Sequence, residues 1–156
     1  MNRYAIVDAA AYADTPKALA WYALDLPHRS LLARQPEAMH ASAGPWLIQL
    51  PAHPHSPVEG WLRALQLDRP VVAWLSSEAG FEAMFQHLET CLDLRRPSGS
   101  QALLRYWDGR VFLRLQRVFT RVQRRQLMGP VQQWRFQMLG QDYTLHRAEL
   151  DDTEAA

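Results

Sequence analysis

Short apolar runs that alternate with helical patterns constrain the fold of this chain most strongly. Four such runs are rich in β-branched and aromatic residues and are bounded by proline, glycine or polar residues, as is typical of strands. They lie at residues 3–8, 44–51, 70–77 and 102–107. Because helix-patterned segments follow them, we predict an α/β fold, in which helices flank a mixed sheet.

Start signals accompany three of the helical segments. Thr15 is a predicted N-cap before Pro16 at the first helical position. Residues 56–59, SPVE, have the spacing of a capping box, and Ser77 is predicted to cap the helix that follows it. Apolar side chains at helical spacing predict one buried face on each of the helices that follow Ser56 and Ser77. The first face contains Val58, Trp61, Leu62 and Leu65, and the second contains Phe81, Met84, Phe85, Leu88 and Leu92.

A hairpin is predicted to close the domain. Residues 131–139 and 142–150 have strand-like composition, and Gly140-Gln141 favours a short turn between them. A length of 156 residues is typical of one domain, which we assign to residues 1–148. The acidic tail at 149–156 is predicted to be disordered.

The sequence predicts a cytoplasmic protein. No apolar run approaches the roughly 20 residues that span a bilayer. Asp8 and Asp14 interrupt the apolar N-terminal part, which is untypical of a secretory signal. Cys91 is the single cysteine, so no intrachain disulfide can form and a reducing compartment fits.

Charge is distributed very unevenly along the chain. Residues 1–94 carry a formal charge of −4, and residues 149–156 carry another −4. Between them, residues 95–148 hold 11 arginines against Asp108 and Asp142, a charge of +9. This asymmetry points to a surface that meets a partner.

Arginines recur at helical spacing between Val111 and about Met128, a stretch predicted to form one long helix or two helices split near Thr120. The apolar residues Val111, Leu115, Val118 and Val122 are predicted to lie on the opposite side. The cationic stripe then consists of Arg110, Arg114, Arg117, Arg121, Arg124 and Arg125. Like charges at this spacing are mildly unfavourable. The stripe is therefore either a solvated face or a docking face.

Catalytic, metal and cofactor signatures are weak. His53 and His55 lack the further ligands that a metal needs, so no metal site is predicted. Cys91 at the edge of an apolar helical face fits a half-buried structural thiol, although His87 one turn earlier could lower its pKa. No glycine-rich phosphate loop and no nucleophile motif is present, so no cofactor is expected.

The fragment RYWDGR at 105–110 combines two aromatics, an acid and a pair of arginines. On a strand, Arg105 and Trp107 would point one way and Tyr106 and Asp108 the other. Asp108 is then placed to cap the following helix, which Arg110 begins. A buried Arg105 would need a carboxylate or carbonyl groups as partners, and Asp8 is a candidate. We interpret the fragment as a structural corner and not as an active site.

Four fragments of the chain occur in the order of one family's pattern. They are the strand-like YAIVDAA at 4–10, Gly44-Pro45-Trp46-Leu47, the set Arg105, Tyr106, Trp107, Asp108 and Arg110, and Gly129-Pro130-Val131 with Trp134. Together they resemble the adaptor, or effector chaperone, proteins of bacterial type VI secretion systems. That domain was long described only as one of unknown function. The resemblance covers residues 4–134.

The resemblance implies a cytoplasmic, non-catalytic protein that binds an effector toxin and helps to load it onto the VgrG-type spike protein. Gly109 stands where the family usually has proline, which loosens the turn. The variable C-terminal lobe of many members does not follow here, so cargo contacts would lie on the domain itself or on a second protein. Arg114, Arg117, Arg121 and Arg124 are the residues that we expect to dock an acidic partner.

Two functions of other classes stay open at this point. A small enzyme would use Arg105, Asp108 and a histidine in a pocket at the strand ends. A nucleic-acid-binding module would use the arginine stripe, although the near-neutral charge and the missing modules favour it less.

Overall fold

Eight strands and six α-helices make up the computed structural model, which describes residues 1–35, 38–95 and 97–151. The strands of the main sheet are β1 (Asn2–Asp8), β2 (His28–Ser30), β3 (Pro45–Gln49), β4 (Val72–Ser77), β7 (Val131–Met138) and β8 (Gln141–His146). A separate ribbon pairs β5 (Asp93–Arg95) with β6 (Gln101–Leu103). The helices are α1 (Thr15–Tyr22), α2 (Pro57–Gln66), α3 (Phe81–Thr90), α4 (Gly109–Val118), α5 (Arg121–Met128) and α6 (Arg147–Asp151), with a 3₁₀ helix at Ala38–Ala43.

The predicted α/β class is confirmed, but the predicted mixed sheet is wrong. The strand order is β2-β3-β1-β4-β7-β8, and every pairing is antiparallel. β3 and β4 run in the same direction and are joined through α2, as strand–helix alternation predicts. They are not neighbours, however, because β1 lies between them and runs the opposite way.

Two hydrophobic cores lie on opposite faces of the sheet. On β1, Tyr4 and Ile6 belong to the core that contains residues of α3, α4 and α5, whereas Ala5 and Val7 belong to the core that contains residues of α1 and α2. All four side chains are fully buried. β1 is therefore a central strand covered on both faces, as its continuous apolar run predicts.

The helix starts differ from the predictions in three places. Asp14 precedes α1, and Thr15 lies inside it. Ser56 precedes α2 but makes no capping hydrogen bond, and the Glu59 carboxylate is buried and pairs with Arg3 at 2.6 Å. Gly80, and not Ser77, precedes α3.

The predicted strand at 102–107 is wrong beyond Leu103. β6 ends at Leu103 and pairs with β5 outside the main sheet. Tyr106 and Trp107 lie in the turn that follows, and the Asp108 N–H donates to the Arg105 carbonyl at 3.1 Å. The apolar run is explained by burial of both aromatics within the turn and not by a strand.

The basic segment between Val111 and Met128 forms two helices, which confirms the predicted alternative of a split near Thr120. α4 ends at Val118, and Thr120 starts α5 with a capping box: its hydroxyl accepts from the Gln123 N–H, and the Gln123 side chain accepts from the Thr120 N–H. Gly129, at φ +49°, ends α5.

The predicted closing hairpin is confirmed as β7 and β8, joined by a turn at Leu139-Gly140. The second predicted strand, at 142–150, extends too far, because β8 ends at His146 and residues 147–151 form α6. The first three residues of the predicted tail thus belong to this helix, in which Leu150 is buried. Residues 152–156 lie outside the described residues.

Candidate functional site

Asp108 caps α4, as predicted. One carboxylate oxygen, Oδ1, accepts from the Arg110 backbone N–H at 2.9 Å, and Oδ2 accepts from its guanidinium at 2.9 Å. Burial by itself raises the pKa of Asp108, but these hydrogen bonds outweigh it and hold the pKa below the usual value. Both oxygens are engaged within the corner.

The aromatic residues of the corner belong to the core. Tyr106 is fully buried and its hydroxyl donates to the Leu88 carbonyl at 2.6 Å. Its ring meets Trp134 edge-on at 5.6 Å, and Phe112 stacks on the same indole at 4.8 Å. Trp134 comes from the fourth fragment of the family pattern, so two distant fragments build one aromatic cluster.

Gly109 permits this packing. It is buried at the start of α4, and an added Cβ would lie 2.9 Å from Met138 Sδ and 3.0 Å from Phe136. Gly109 is therefore held closely against β7.

Arg105 is predicted to be buried in a strand with Asp8 as a candidate partner, and the predicted burial is wrong. Arg105 is exposed, since it follows β6 instead of lying inside a strand, and no salt bridge within 4 Å joins these two described residues. They are still close enough to interact electrostatically. Burial raises the pKa of Asp8, while the Ala10 N–H and the charge of Arg105 partly offset the rise.

A groove of about 690 Å³ opens beside the corner. It combines the end of β1, the loop between α2 and β4, the start of α4 and the β7–β8 turn. Six of its lining residues are Asp8, Leu67, Arg69, Arg105, Val111 and Leu139. None of the described residues that line it is a histidine, so the acid–base set of the alternative enzyme is not assembled there.

The two glycine–proline fragments serve the sheet. The Gly44 carbonyl accepts from the Ala9 N–H at 3.0 Å, and Pro45 begins β3. The Pro130 carbonyl accepts from the Ser77 hydroxyl at 2.7 Å, which links the start of β7 to the end of β4. Both fragments therefore lie at the start of a strand and form hydrogen bonds with other segments of the chain.

The predicted arginine stripe is divided by the break at Phe119-Thr120. Arg114 and Arg117 are exposed on α4, whereas Arg121 and Arg124 are half-buried on α5. The stripe's first and last members have partners: Arg110 pairs with Asp108, and the Arg125 Nε donates to the Leu150 carbonyl at 2.7 Å.

The apolar side of these helices also differs from the prediction. Leu115 is buried and Val111 is partly buried, as predicted. Val118 and Val122, in contrast, are 72% and 61% exposed. The capping box at Thr120 starts a new helix, so residues on its two sides no longer follow one helical phase.

A single family model matches most of the chain. It is described as a domain of unknown function, DUF4123, and covers residues 3–126. The chain belongs to the DUF4123 family. No curated protein and no solved structure matches it. The match includes the first three fragments of the family pattern and ends before Gly129.

Cys91 of this DUF4123 domain is a half-buried thiol, as predicted. Its Sγ lies 3.8 Å from His87 Nε2. Burial raises the thiol pKa to about 11, which agrees with the predicted structural thiol and not with an activation by His87. His87 itself is bound to the Leu127 carbonyl at 2.7 Å, and burial lowers its pKa.

Metal ligands are not grouped in the described part of this DUF4123 domain. His53 and His55 have ring centroids 5.8 Å apart, and no set of three or more His, Cys, Asp or Glu residues there could hold an ion. Within the same residues, every helix is too short or too polar to cross a membrane.

Sequence reasoning missed the groove and the exposed valines. The groove combines segments far apart in sequence, so no local pattern reveals it. The helix break before Val122 was detectable, because Thr120 and Gln123 have the capping-box spacing that starts a helix.

Proposed function

We propose that this DUF4123 domain is a cytoplasmic, non-catalytic adaptor that binds a type VI secretion effector toxin and helps to load it onto the VgrG-type spike protein. The observation that carries the proposal is the family match over residues 3–126, because this family is known for type VI effector adaptors.

The corner at 105–110 supports a binding role over catalysis. Asp108 uses its oxygens to cap α4 and to hold Arg110, while Tyr106 and Trp107 are buried in the core. A catalytic acid or base needs a free, correctly placed group. Here the motif residues instead fix the fold.

The thiol of Cys91 also favours a binding role over catalysis. A nucleophilic cysteine needs a low pKa so that the thiolate is populated at neutral pH. The pKa of Cys91 is raised to about 11 by burial, which fits a packing residue.

Co-purification tests the proposal. The tagged full chain is produced with each candidate type VI effector toxin and VgrG-type spike protein of its own organism, and a strain lacking the gene is assayed for secretion of the effector that binds. We expect a complex with the effector or the spike, and loss of secretion of that effector while other type VI substrates are still exported. Absence of any complex together with unchanged secretion would overturn the proposal.

A further inference from the structure

A basic segment covers two consecutive helices of the fold. Residues 109–128 contain six arginines and no acidic residue. Arg114 and Arg117 are exposed, lie one helical turn apart and form no salt bridge with any described residue. Like charges at this spacing repel mildly, so the surface gains from an acidic partner.

Two aliphatic side chains accompany these arginines. Val118 follows Arg114 by four residues, so the two are neighbours on α4, and Val122 lies just beyond the helix break. Both valines are largely exposed. We name the set Arg114, Arg117, Val118 and Val122 the elbow surface.

The helix break between the two valines is a defined structure. Phe119 is extended at φ −76° and ψ 142° and packs partly against the core. Thr120 and Gln123 satisfy each other's backbone N–H groups in the capping box. The elbow surface is therefore presented by two helices whose junction is anchored.

Contacts between α5 and α6 show which groups bind to the C-terminal end of this basic segment. α6 is a short segment that places two acids beside a leucine. Leu150 is buried in the core that contains α5 residues, its carbonyl accepts from Arg125 at 2.7 Å, and Asp151 lies 3.8 Å from the same guanidinium. An aliphatic side chain and adjacent acceptors thus engage α5 together.

We propose that the elbow surface binds an acidic segment of a protein partner in the same manner. Carboxylates of the segment pair with Arg114 and Arg117, and its aliphatic side chains cover Val118 and Val122. The planar guanidinium can bind both oxygens of one carboxylate, and protein interfaces combine an apolar centre with arginine. The inference rests on the proposed adaptor function and specifies the chemistry of its partner.

The test uses the full chain and a fluorescein-labelled 18-residue peptide with glutamate and leucine at helical spacing. Anisotropy titrations at low and high salt compare wild type with R114Q/R117Q and V118S/V122S. The matched control is K17Q/L24S, which changes an exposed lysine and an exposed leucine near α1, on the other side of the sheet. Circular dichroism checks that every variant is folded.

We expect R114Q/R117Q to weaken peptide binding about five- to thirtyfold at low salt and less at high salt. V118S/V122S should weaken it about fivefold or more at both salt concentrations, because the lost contact is apolar. The control should bind like wild type, and a peptide with glutamine in place of glutamate should bind poorly.

Three results would overturn the inference. The first is that wild type does not bind the peptide. The second is that both elbow variants bind the peptide as tightly as wild type does. The third is that single-stranded RNA binds more tightly than the peptide and that the valine substitutions do not affect RNA binding. Co-purification separates this failure from failure of the adaptor function. If the effector and spike are retained equally by wild type and by both elbow variants, the adaptor function stands and the elbow surface is not its docking site.

Discussion

Gly129 packs directly against the imidazole ring of His87, and a Cβ added to the glycine would overlap the ring. Gly129 also has φ +49°, a conformation that favours glycine. The end of α5 is thereby fixed on α3, and the His87 Nε2 forms a hydrogen bond with the Leu127 carbonyl two residues earlier.

Gly129→Ala should therefore destabilise the fold by two mechanisms. Left-handed backbone costs alanine about 1–2 kcal/mol, and overpacking against His87 adds about 1–3 kcal/mol. Gly140→Ala is the matched control, since Gly140 has φ +75° but nothing within 4 Å of an added Cβ. Urea unfolding should show a clearly larger loss for Gly129→Ala. Equal losses would contradict the contact with His87.

Protonation of His87 should reduce stability in mild acid. Burial lowers its pKa, and the nearby charge of Arg147 lowers it further, although the bond with the Leu127 carbonyl opposes this. The unfolded chain then binds a proton more readily than the folded chain. The stabilising effect is complete above the unfolded pKa of about 6.5 and is lost as the pH falls toward the folded pKa. His87→Gln should flatten the decline in melting temperature between pH 7 and pH 5; an unchanged decline would exclude His87 as its cause.

Two capping-box signals show what local sequence can and cannot predict. Thr120 and Gln123 form the box, because both are exposed and no other group competes for them. Ser56 and Glu59 have the same spacing but form none, since Arg3, 56 residues away in the sequence, draws the Glu59 carboxylate into an ion pair. The motif predicts the helix start in both cases, whereas the hydrogen bonds depend on tertiary contacts.

The central strand β1 and the corner at 105–110 also differ in how far their structure could be predicted from the sequence. Residues 4–7 were predictable as a buried strand, because a strand covered on both faces is continuously apolar. Tyr106 and Trp107 were not predictable as turn residues, since the burial that selects for aromatics depends on Trp134 and Leu88. The cap at Asp108 was predictable because it involves neighbouring residues alone.

Asp108→Ala should lower stability by about 1 kcal/mol through loss of the α4 cap. Arg110 is largely exposed, so its ion pair adds little. Asp108→Asn is the control, because asparagine retains a capping oxygen without the charge. The pKa of Asp108 is lowered in the fold, so its charge stabilises above the unfolded pKa of about 3.9 and the effect fades as the pH falls through the folded value. Thermal unfolding at pH 7 and pH 3 should show the wild-type advantage over Asp108→Asn shrinking in acid.

The thiol of Cys91 should react slowly in the native protein. With its pKa raised to about 11, very little thiolate exists near neutral pH. Alkylation by iodoacetamide at pH 8 should be roughly 100-fold slower than in the urea-unfolded chain, since burial raises the thiol pKa from 9.0 to about 11. The native rate should still increase with pH between 8 and 10. Rapid stoichiometric modification at pH 7 would show that Cys91 is activated and would reopen a catalytic role.

Arg3 and Glu59 form the most buried ion pair among the described residues. Glu59 is 1% exposed, its Oε2 accepts from Arg3 at 2.6 Å, and Arg3 also donates to the Pro51 carbonyl. Arg3→Met would leave the buried carboxylate with Arg63 alone, at 3.5 Å. Loss of one partner of a buried pair costs about 3–5 kcal/mol, and we expect about 2–4 kcal/mol because Arg3 is one-third exposed.

The double variant Arg3→Met/Glu59→Leu distinguishes a net attraction from the cost of an unpaired charge. Replacing a buried ion pair by apolar residues of similar size is often neutral. The Glu59 Oε1 is moreover buried without a hydrogen-bond partner in the described structure, so its removal relieves a desolvation cost. We therefore expect the double variant to recover most of the stability lost in Arg3→Met, measured by urea unfolding. A double variant less stable than Arg3→Met would show instead that the carboxylate itself stabilises α2 against the sheet.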